Sequence, residues 1–482
     1  MSKKVKTLII FGIAAVLLLG AFFALPYLLP EQEQGDDYTD DVFVLYDETG
    51  NELETITVEY GGESMVIEKL AANKYGVADI ADYVTSSDLN NAFASARRLA
   101  CYNKIEAGSD PADYGLDKPQ SVVTLDFVNG TQHVIYIGDQ NSAGTGYYTM
   151  VDDSDEIFVV QNSSYEGRYL ATRSDLIDTL IVESFDTENK EEYPVFSYFE
   201  IKRPDLEKEI YIRLLSAEEK KTEYTEQGAL LTMTSPVNSL VLTDAVNTYM
   251  YSFFGLTGQK CVAYNYTEDR AAEFGFDEPT AVLSTKYDNS ELVLTVGSFA
   301  DEAKTMYYLM SSRKPGLVYT VLKSDLNWVT VSPDQMVSPV AVQPYIKDIS
   351  HISLRIEKGK VYNFELTHED GENGKTNTTV LCNGEKVNTD LFKRYLQLLL
   401  YTSGEAIYYG EDLPDSNEVL YISYEYNNGT DGDVVRILKN TARYGVMEVN
   451  GHQNFTARLA YIDKLQTELG NLLDGNEIDT EW

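Results

Sequence analysis

Only a few stretches of the 482-residue sequence place reactive residue types at spacings that do chemistry. Ser311-Ser312-Arg313-Lys314 has the S-x-x-K spacing in which a helix sets a lysine beside a nucleophilic serine, but Pro315 follows at once and no S-D-N or K-T-G accompanies it. "HEDGENGKTN" (His368 to Asn377) approaches a phosphate loop. Glu369 stands where the leading glycine must free the backbone amides, so the stretch reads as a hairpin tip. Asp152, Asp153, Asp155 and Glu156 offer oxygen ligands without the spacing of a calcium loop, and a solvated turn accounts for them. Cys101, Cys261 and Cys382 are too far apart for a metal motif and read as small buried residues. His133, His351, His368 and His452 have no second histidine at ligand spacing. No catalytic residue, metal ligand or cofactor site is assigned from these stretches.

The stronger pattern is a repeated one, [YF]-G-[LF]-D-x-P, present as "YGLDKP" from Tyr114 to Pro119 and as "FGFDEP" from Phe274 to Pro279. Gly115 and Gly275 permit a positive φ where strand pairing must break, and Asp117 and Asp277 can accept amides just ahead in an Asx-type turn. Pro119 and Pro279 fix φ and lack a donor, which suits the first residue of a strand. These residues read as a structural joint. A third copy reduces them to "YYGEDLP" (Tyr408 to Pro414).

The elements around the joint recur in the same order. Each copy opens with alternating strands: "VFVLYD", "ETITVEY" and "SMVIEK" in the first, "FSYFEIKR" and "EIYIRLL" in the second, "ISLRIEK" and "VYNFELTH" in the third. A helix follows, with expected caps at Ser87-Asp88, Thr243-Asp244 and Thr389-Asp390. After the joint come hairpins turning at Asn129-Gly130, Asp288-Asn289 and Asn428-Gly429, for which both central residues are expected to take positive φ. Returning strands end at Gly138 and Gly297 and lead to the pairs Tyr147-Tyr148 and Tyr307-Tyr308. "RSDL" at Arg173 and "KSDL" at Lys323 are expected to cap a closing helix. The expected fold is α+β, with modules at residues 42–182, 183–345 and 346–482, each an antiparallel sheet with packed helices.

The chain carries 77 acidic against 38 basic side chains, a formal charge of −39, which repels phosphate backbones and excludes nucleic acid as a partner class. Lys3, Lys4 and Lys6 precede an uncharged stretch, Leu8 to Leu29, of about 22 residues, long enough to cross a bilayer. The expected order is a cytoplasmic tail at residues 1–7, a transmembrane helix at 8–29, an acidic linker at 30–41 and the remainder extracytoplasmic. A cleaved signal peptide has the same charge order but a shorter apolar region, so a retained anchor is the reading taken.

Where "YGLDKP", the Asn-Gly hairpin, "IGD" and the paired tyrosines align, the chain resembles an uncharacterised family of bacterial extracytoplasmic repeat proteins, domain-of-unknown-function family 4340. The resemblance implies a membrane-anchored partner encoded beside ABC-transporter components, often with gliding-motility-type auxiliary proteins; that its role is non-catalytic is read from the residues above. It carries over no catalytic residue. The role expected is an accessory or scaffold component of an ABC-type transport or envelope complex. Two alternatives stand beside it: a cell-surface binder of glycan or peptide using tyrosine-rich sheet faces, and an envelope hydrolase using unrecognised carboxylates.

Overall fold

Period-two alternation produces strands that bury one face. In the computed structural model, which describes residues 42–72, 74–83, 88–189, 193–217, 219, 230–370 and 376–482, this pattern builds most of the chain. The polypeptide divides into two units between Leu176 and Ile177. In the first, the strands are β1 (Phe43–Asp47), β2 (Leu53–Tyr60), β3 (Glu63–Ala71), β4 (Lys74–Val77), β5 (Arg98–Cys101), β6 (Asn103–Lys104), β7 (Ser121–Phe127), β8 (Gln132–Gln140), β9 (Gly146–Val151) and β10 (Phe158–Gln161). Eight of them form one sheet in the order β4-β3-β2-β7-β8-β9-β10-β6. The segment "VFVLYD", expected to open that sheet, instead lies in β1, which pairs with β5 as a separate two-stranded sheet.

The second unit repeats the order twice. One sheet is β14-β13-β12-β11-β16-β17-β18-β19-β15, from β11 (Phe196–Lys202), β12 (Ile210–Leu214), β13 (Leu231–Ser235), β14 (Ser239–Leu240), β15 (Lys260–Ala263), β16 (Ala281–Tyr287), β17 (Ser290–Phe299), β18 (Met306–Ser311) and β19 (Val318–Leu322). The other is β23-β22-β21-β20-β24-β25-β26-β27, from β20 (Ile349–Ile356), β21 (Val361–Asp370), β22 (Thr376–Cys382), β23 (Glu385–Lys386), β24 (Glu418–Tyr426), β25 (Asp433–Lys439), β26 (Tyr444–Val449) and β27 (His452–Arg458). In all three large sheets the first strand pairs with the strand that follows the joint, β2 with β7, β11 with β16 and β20 with β24, always antiparallel.

The buried faces make the cores. Ile56 faces Ile67 across β2 and β3, Leu283 faces Leu294 across β16 and β17, and Ile352 faces Phe364 across β20 and β21, each wholly buried. Burial of such a side chain contributes about 1.5–3 kcal/mol. Helices cover these faces through aromatic contacts. Phe93 of helix Asp88–Ser95 stacks on Tyr75 at 4.1 Å, and Phe392 of helix Thr389–Leu400 meets Phe364 at 5.1 Å. The second copy forms a short helix, Thr243–Ala245, that widens into a π-helical turn, Val246–Met250, burying Met250 and Phe253. Among the described residues a long closing helix is present only after the third sheet, at Ala460–Asp474; the segment at Arg173–Leu176 makes one helical turn and that at Lys323–Asp325 one 3-10 turn.

Local chemistry shifts several expected details. The cap of the third helix is Asn388, whose side chain accepts from the amides of Asp390 and Leu391, while Thr389 is already helical and bonds Thr378. Thr243 makes no side-chain cap bond, and Ser87 lies outside the described residues. At the Asn-Gly hairpins only the glycine has positive φ, 85° at Gly130 and 83° at Gly429, and each asparagine carboxamide accepts the amide two residues on in an Asx-type turn. Asp288 and Asn289 do both take positive φ, 46° and 64°.

The second and third expected modules share one unit for a visible reason. The chain leaving the second sheet pairs with the chain leaving the third copy's helix, through the Val340–Ser403 bridge and the bonds from Ala341 N to Thr402 O (2.9 Å) and from Gly404 N to Pro339 O (2.8 Å). No helix among the described residues is long and apolar enough to cross a membrane. The tail, transmembrane and linker expectations at residues 1–7, 8–29 and 30–41 lie outside the described residues.

Candidate functional site

The two copies of the joint have one geometry. Gly115 and Gly275 end short helical turns in the left-handed region, φ 69° and 74°. Backbone bonds close each turn: Leu116 N to Pro111 O at 3.0 Å, Phe276 N to Ala271 O at 2.9 Å. Each turn is seated on the returning strand where that strand has a glycine. A Cβ at Gly138 would lie 2.3 Å from the Tyr114 carbonyl oxygen and 2.9 Å from Leu116, and one at Gly297 would lie 2.1 Å from the Phe274 oxygen and 2.9 Å from the Phe276 ring. The contact is main chain against main chain, so only hydrogen fits at either position.

Neighbouring residues complete the seat. Pro119 and Pro279 stand immediately before the first ladder bonds, Gln120 N to Ile137 O (2.9 Å) and Thr280 N to Val296 O (2.8 Å). The Gln120 side chain donates to Gly138 O, and Thr280 Oγ1 donates to Gly297 O at 2.6 Å. The ladders to β9 and β18 slip just past the glycines, between Ile137 and Gln140 and between Val296 and Phe299. The second tyrosine of each pair packs edge-on against the motif aromatic, Tyr148 on Tyr114 at 4.6 Å and Tyr308 on Phe274 at 5.1 Å. Asp117 and Asp277, expected to accept amides, are exposed and accept no hydrogen bond among the described residues. The residue two on from each is a proline without an amide, and the next amides, Gln120 N and Thr280 N, donate to the returning strand.

Two of the four acids in the acidic turn have partners within the protein, and Asp153 and Asp155 are exposed. Asp152, at φ 56°, accepts from Val134 N at 2.8 Å and stands 2.8 Å from His133 Nδ1, while Glu156 pairs with Lys104. No group of three His, Cys, Asp or Glu suited to a metal ion is found among the described residues. Ser311 and Lys314 sit in a turn at the end of β18, joined by Lys314 N to Ser311 O at 3.0 Å, which is not the helix that S-x-x-K chemistry requires. The three cysteines are buried and unpaired, and burial pushes the Cys261 thiol up to about 11.

The second unit also holds a cleft of about 510 Å³ between its two sheets, lined by Leu240–Thr243, Ser338–Gln343 and the hairpin from Met447 to Phe455. Sequence patterning gives no sign of the residues that bind its walls together. Asn454, 5% exposed, clasps Asn238 with both ends of its carboxamide, accepting from Asn238 N at 3.0 Å and donating to Asn238 O at 2.6 Å. His452 Nδ1 lies 3.2 Å from the Asn238 side chain. At one end Arg213 donates twice to Glu219, and that bond, ahead of every other cause, holds the Glu219 carboxyl down at about 2. Asp433 accepts from Tyr426 and Asn450. The charged groups of this cleft are matched within the protein, so it works as a hydrogen-bonded junction.

A family model described as "Domain of unknown function (DUF4340)" matches residues 51–226 and again 232–415. No curated protein and no solved structure matches the chain.

Proposed function

The chain belongs to the DUF4340 family, and from that premise we propose that it is a non-catalytic, membrane-anchored extracytoplasmic protein that holds partners in an ABC-type transport or envelope complex. The observation that supports this most is the seat at Gly138 and Gly297: the residues that recur between copies are engaged in packing main chain on main chain. A scaffold needs repetition of that kind, whereas a reactive site needs no second copy. The −39 charge favours a solvated extracytoplasmic surface with protein partners over nucleic acid. Leu8 to Leu29 supplies the anchor in this reading. Affinity purification of the intact protein from membranes tests it. Co-purification of an ATPase and permease pair is expected, and repeated recovery of the protein with no transporter component would remove the proposed role.

A second reading draws on Tyr198 and Tyr211, which stack at 6.1 Å and 10° on the sheet face opposite buried Phe199 and Ile212, beside Glu200. That pair would suit a sugar ring or an extended peptide. Glycan-array binding lost in a Tyr198→Ala, Tyr211→Ala double variant would favour it, and an unchanged or blank array would dismiss it.

A further inference from the structure

We propose that the first unit carries a binding site for a small organic anion, one with a single carboxylate or phosphate head and a compact apolar body, centred on Arg168. The site is a cleft of about 450 Å³, within the size range of small-molecule pockets. It is independent of the scaffold role, since it concerns a soluble ligand and a different part of the chain.

Charge is the first argument. In a protein with 77 acids, four other clefts among the described residues each include a carboxylate: Glu219 and Asp433, Glu405, Glu357 and Asp463, and Asp325. The lining of this one has two arginines, Arg98 and Arg168, and no acid among the described residues. Arg98 is already matched by Asp47 at 3.3 Å. Arg168 has no ion pair among the described residues: one terminal nitrogen donates to Ser95 Oγ at 3.0 Å, the other to the Ser163 carbonyl at 3.1 Å, and Nε is buried without a partner. A guanidinium so held keeps one N–H on each terminal nitrogen, in the planar fork that suits a carboxylate or phosphate.

The rest of the lining agrees. Ser163, Ser164 and Tyr169 bring hydroxyls that make no side-chain hydrogen bond among the described residues, and burial keeps the Tyr169 phenol protonated and able to donate. Leu99 and Ile135 form an apolar floor, and Tyr102, 61% exposed, stands at the rim. A donor-rich head site over an apolar floor selects an amphipathic anion.

Comparison with the second copy supports a function for this arginine beyond packing. At the 160-residue offset of Tyr114 and Phe274, "RSDL" corresponds to the turn at Pro333–Gln335 and not to "KSDL"; Thr172, bonded to Asp175, and Ser332, bonded to Gln335, open these matching caps, and four residues before each stand Arg168 and Trp328. Trp328 is wholly buried and fills its position with an indole. The first copy places a charge there instead, beside an open cleft.

The test is calorimetric titration of the full-length protein in detergent with benzoate and phenyl phosphate, using benzamide as the neutral counterpart. Saturable one-site binding of at least one anion is expected, and which of the two binds more tightly identifies the head group. Benzamide should bind at least roughly tenfold more weakly, and Arg168→Met should weaken the anion by roughly tenfold to a hundredfold. Lys118→Gln, an exposed cation outside the cleft, should change binding by less than about twofold. If Arg168→Met fails to fold, Ser164→Trp, which fills the cleft from its rim, replaces it and should abolish binding. Failure of both anions to bind wild type, equal binding of benzamide, or unchanged affinity in a folded Arg168→Met or Ser164→Trp protein would overturn the proposal.

Discussion

The first two sheets and the third solve the same problem in opposite ways. After the ladder pairs Ile137–Ser121, Val296–Ala281 and Ile437–Leu420, the next residues are Gly138, Gly297 and Leu438. At the glycines a preceding turn lies directly on the strand. At Leu438, wholly buried, a side chain fills the space, the β25–β26 ladder runs unbroken to Lys439, and the irregularity moves to β24, between Glu418 and Leu420. Gly410, in the degraded "YYGEDLP", is not among the positive-φ glycines. One volume of core can thus be supplied by main chain or by a leucine, and the choice fixes whether the joint exists.

The largest effect should come from Gly297→Val, which forces a side chain toward a carbonyl oxygen 2.1 Å from the ideal Cβ. The second sheet should lose about 3 kcal/mol or more, the upper end of overpacking costs, read as an early transition in urea by tyrosine fluorescence. A loss under about 1 kcal/mol would show that the turn is not firmly seated. The mirror experiment is Leu438→Ala, where removing atoms should cost about 2–3 kcal/mol through the cavity left. If Leu438→Ala were neutral while Gly297→Val were severe, the third sheet would not depend on side-chain filling. The clasp gives the next effect. Asn454→Ala removes two hydrogen bonds to part-buried main-chain groups of Asn238 and should cost about 1–2 kcal/mol, with faster hydrogen exchange at Asn238 and Ser239 and none of that change in the first unit.

The smallest effect is a pH dependence. The carboxyl of Glu219 sits at about 2, below its ordinary 4.5, mainly because Arg213 donates to it. A depressed acid adds stability that is complete above the ordinary value and is lost as pH falls toward the folded one. For this largely solvated pair the gain is about 0.5 kcal/mol. The advantage of wild type over Glu219→Gln should therefore shrink between about pH 5 and pH 2, measured by urea midpoints, and a constant difference across that range would refute the assignment.

The central strands were legible because alternation is a local property, as "SVVTLDF" and "AVLSTKY" bury every second residue in the same rhythm, whereas short edge strands such as β6, β14 and β23 were not. The joint was legible through Gly115 and Gly275, whose φ is a property of the residue itself. What escaped depends on partners distant in sequence. Gly138 reads as the end of a strand until the Tyr114 carbonyl is placed above it. Asn454 and Asn238 are ordinary polar residues of two hairpins, 216 positions apart, and only the assembled unit makes them a clasp. Arg168 is one of 38 basic residues, and its lack of a carboxylate neighbour is a fact of space. The cap of the helix at Thr389–Leu400 escaped by one position because Asn388 and Thr389 are both capable acceptors, and Thr389 instead bonds Thr378.

The glycine seat also constrains how such a chain can descend by point mutation. Any single change at Gly297 collides with the preceding turn, and any withdrawal of that turn exposes a groove over a strand with no side chain to fill it. Either step alone is penalised, so the two must change nearly together. The third sheet carries both differences together, with Leu438 in the strand and no left-handed glycine in the segment before β24.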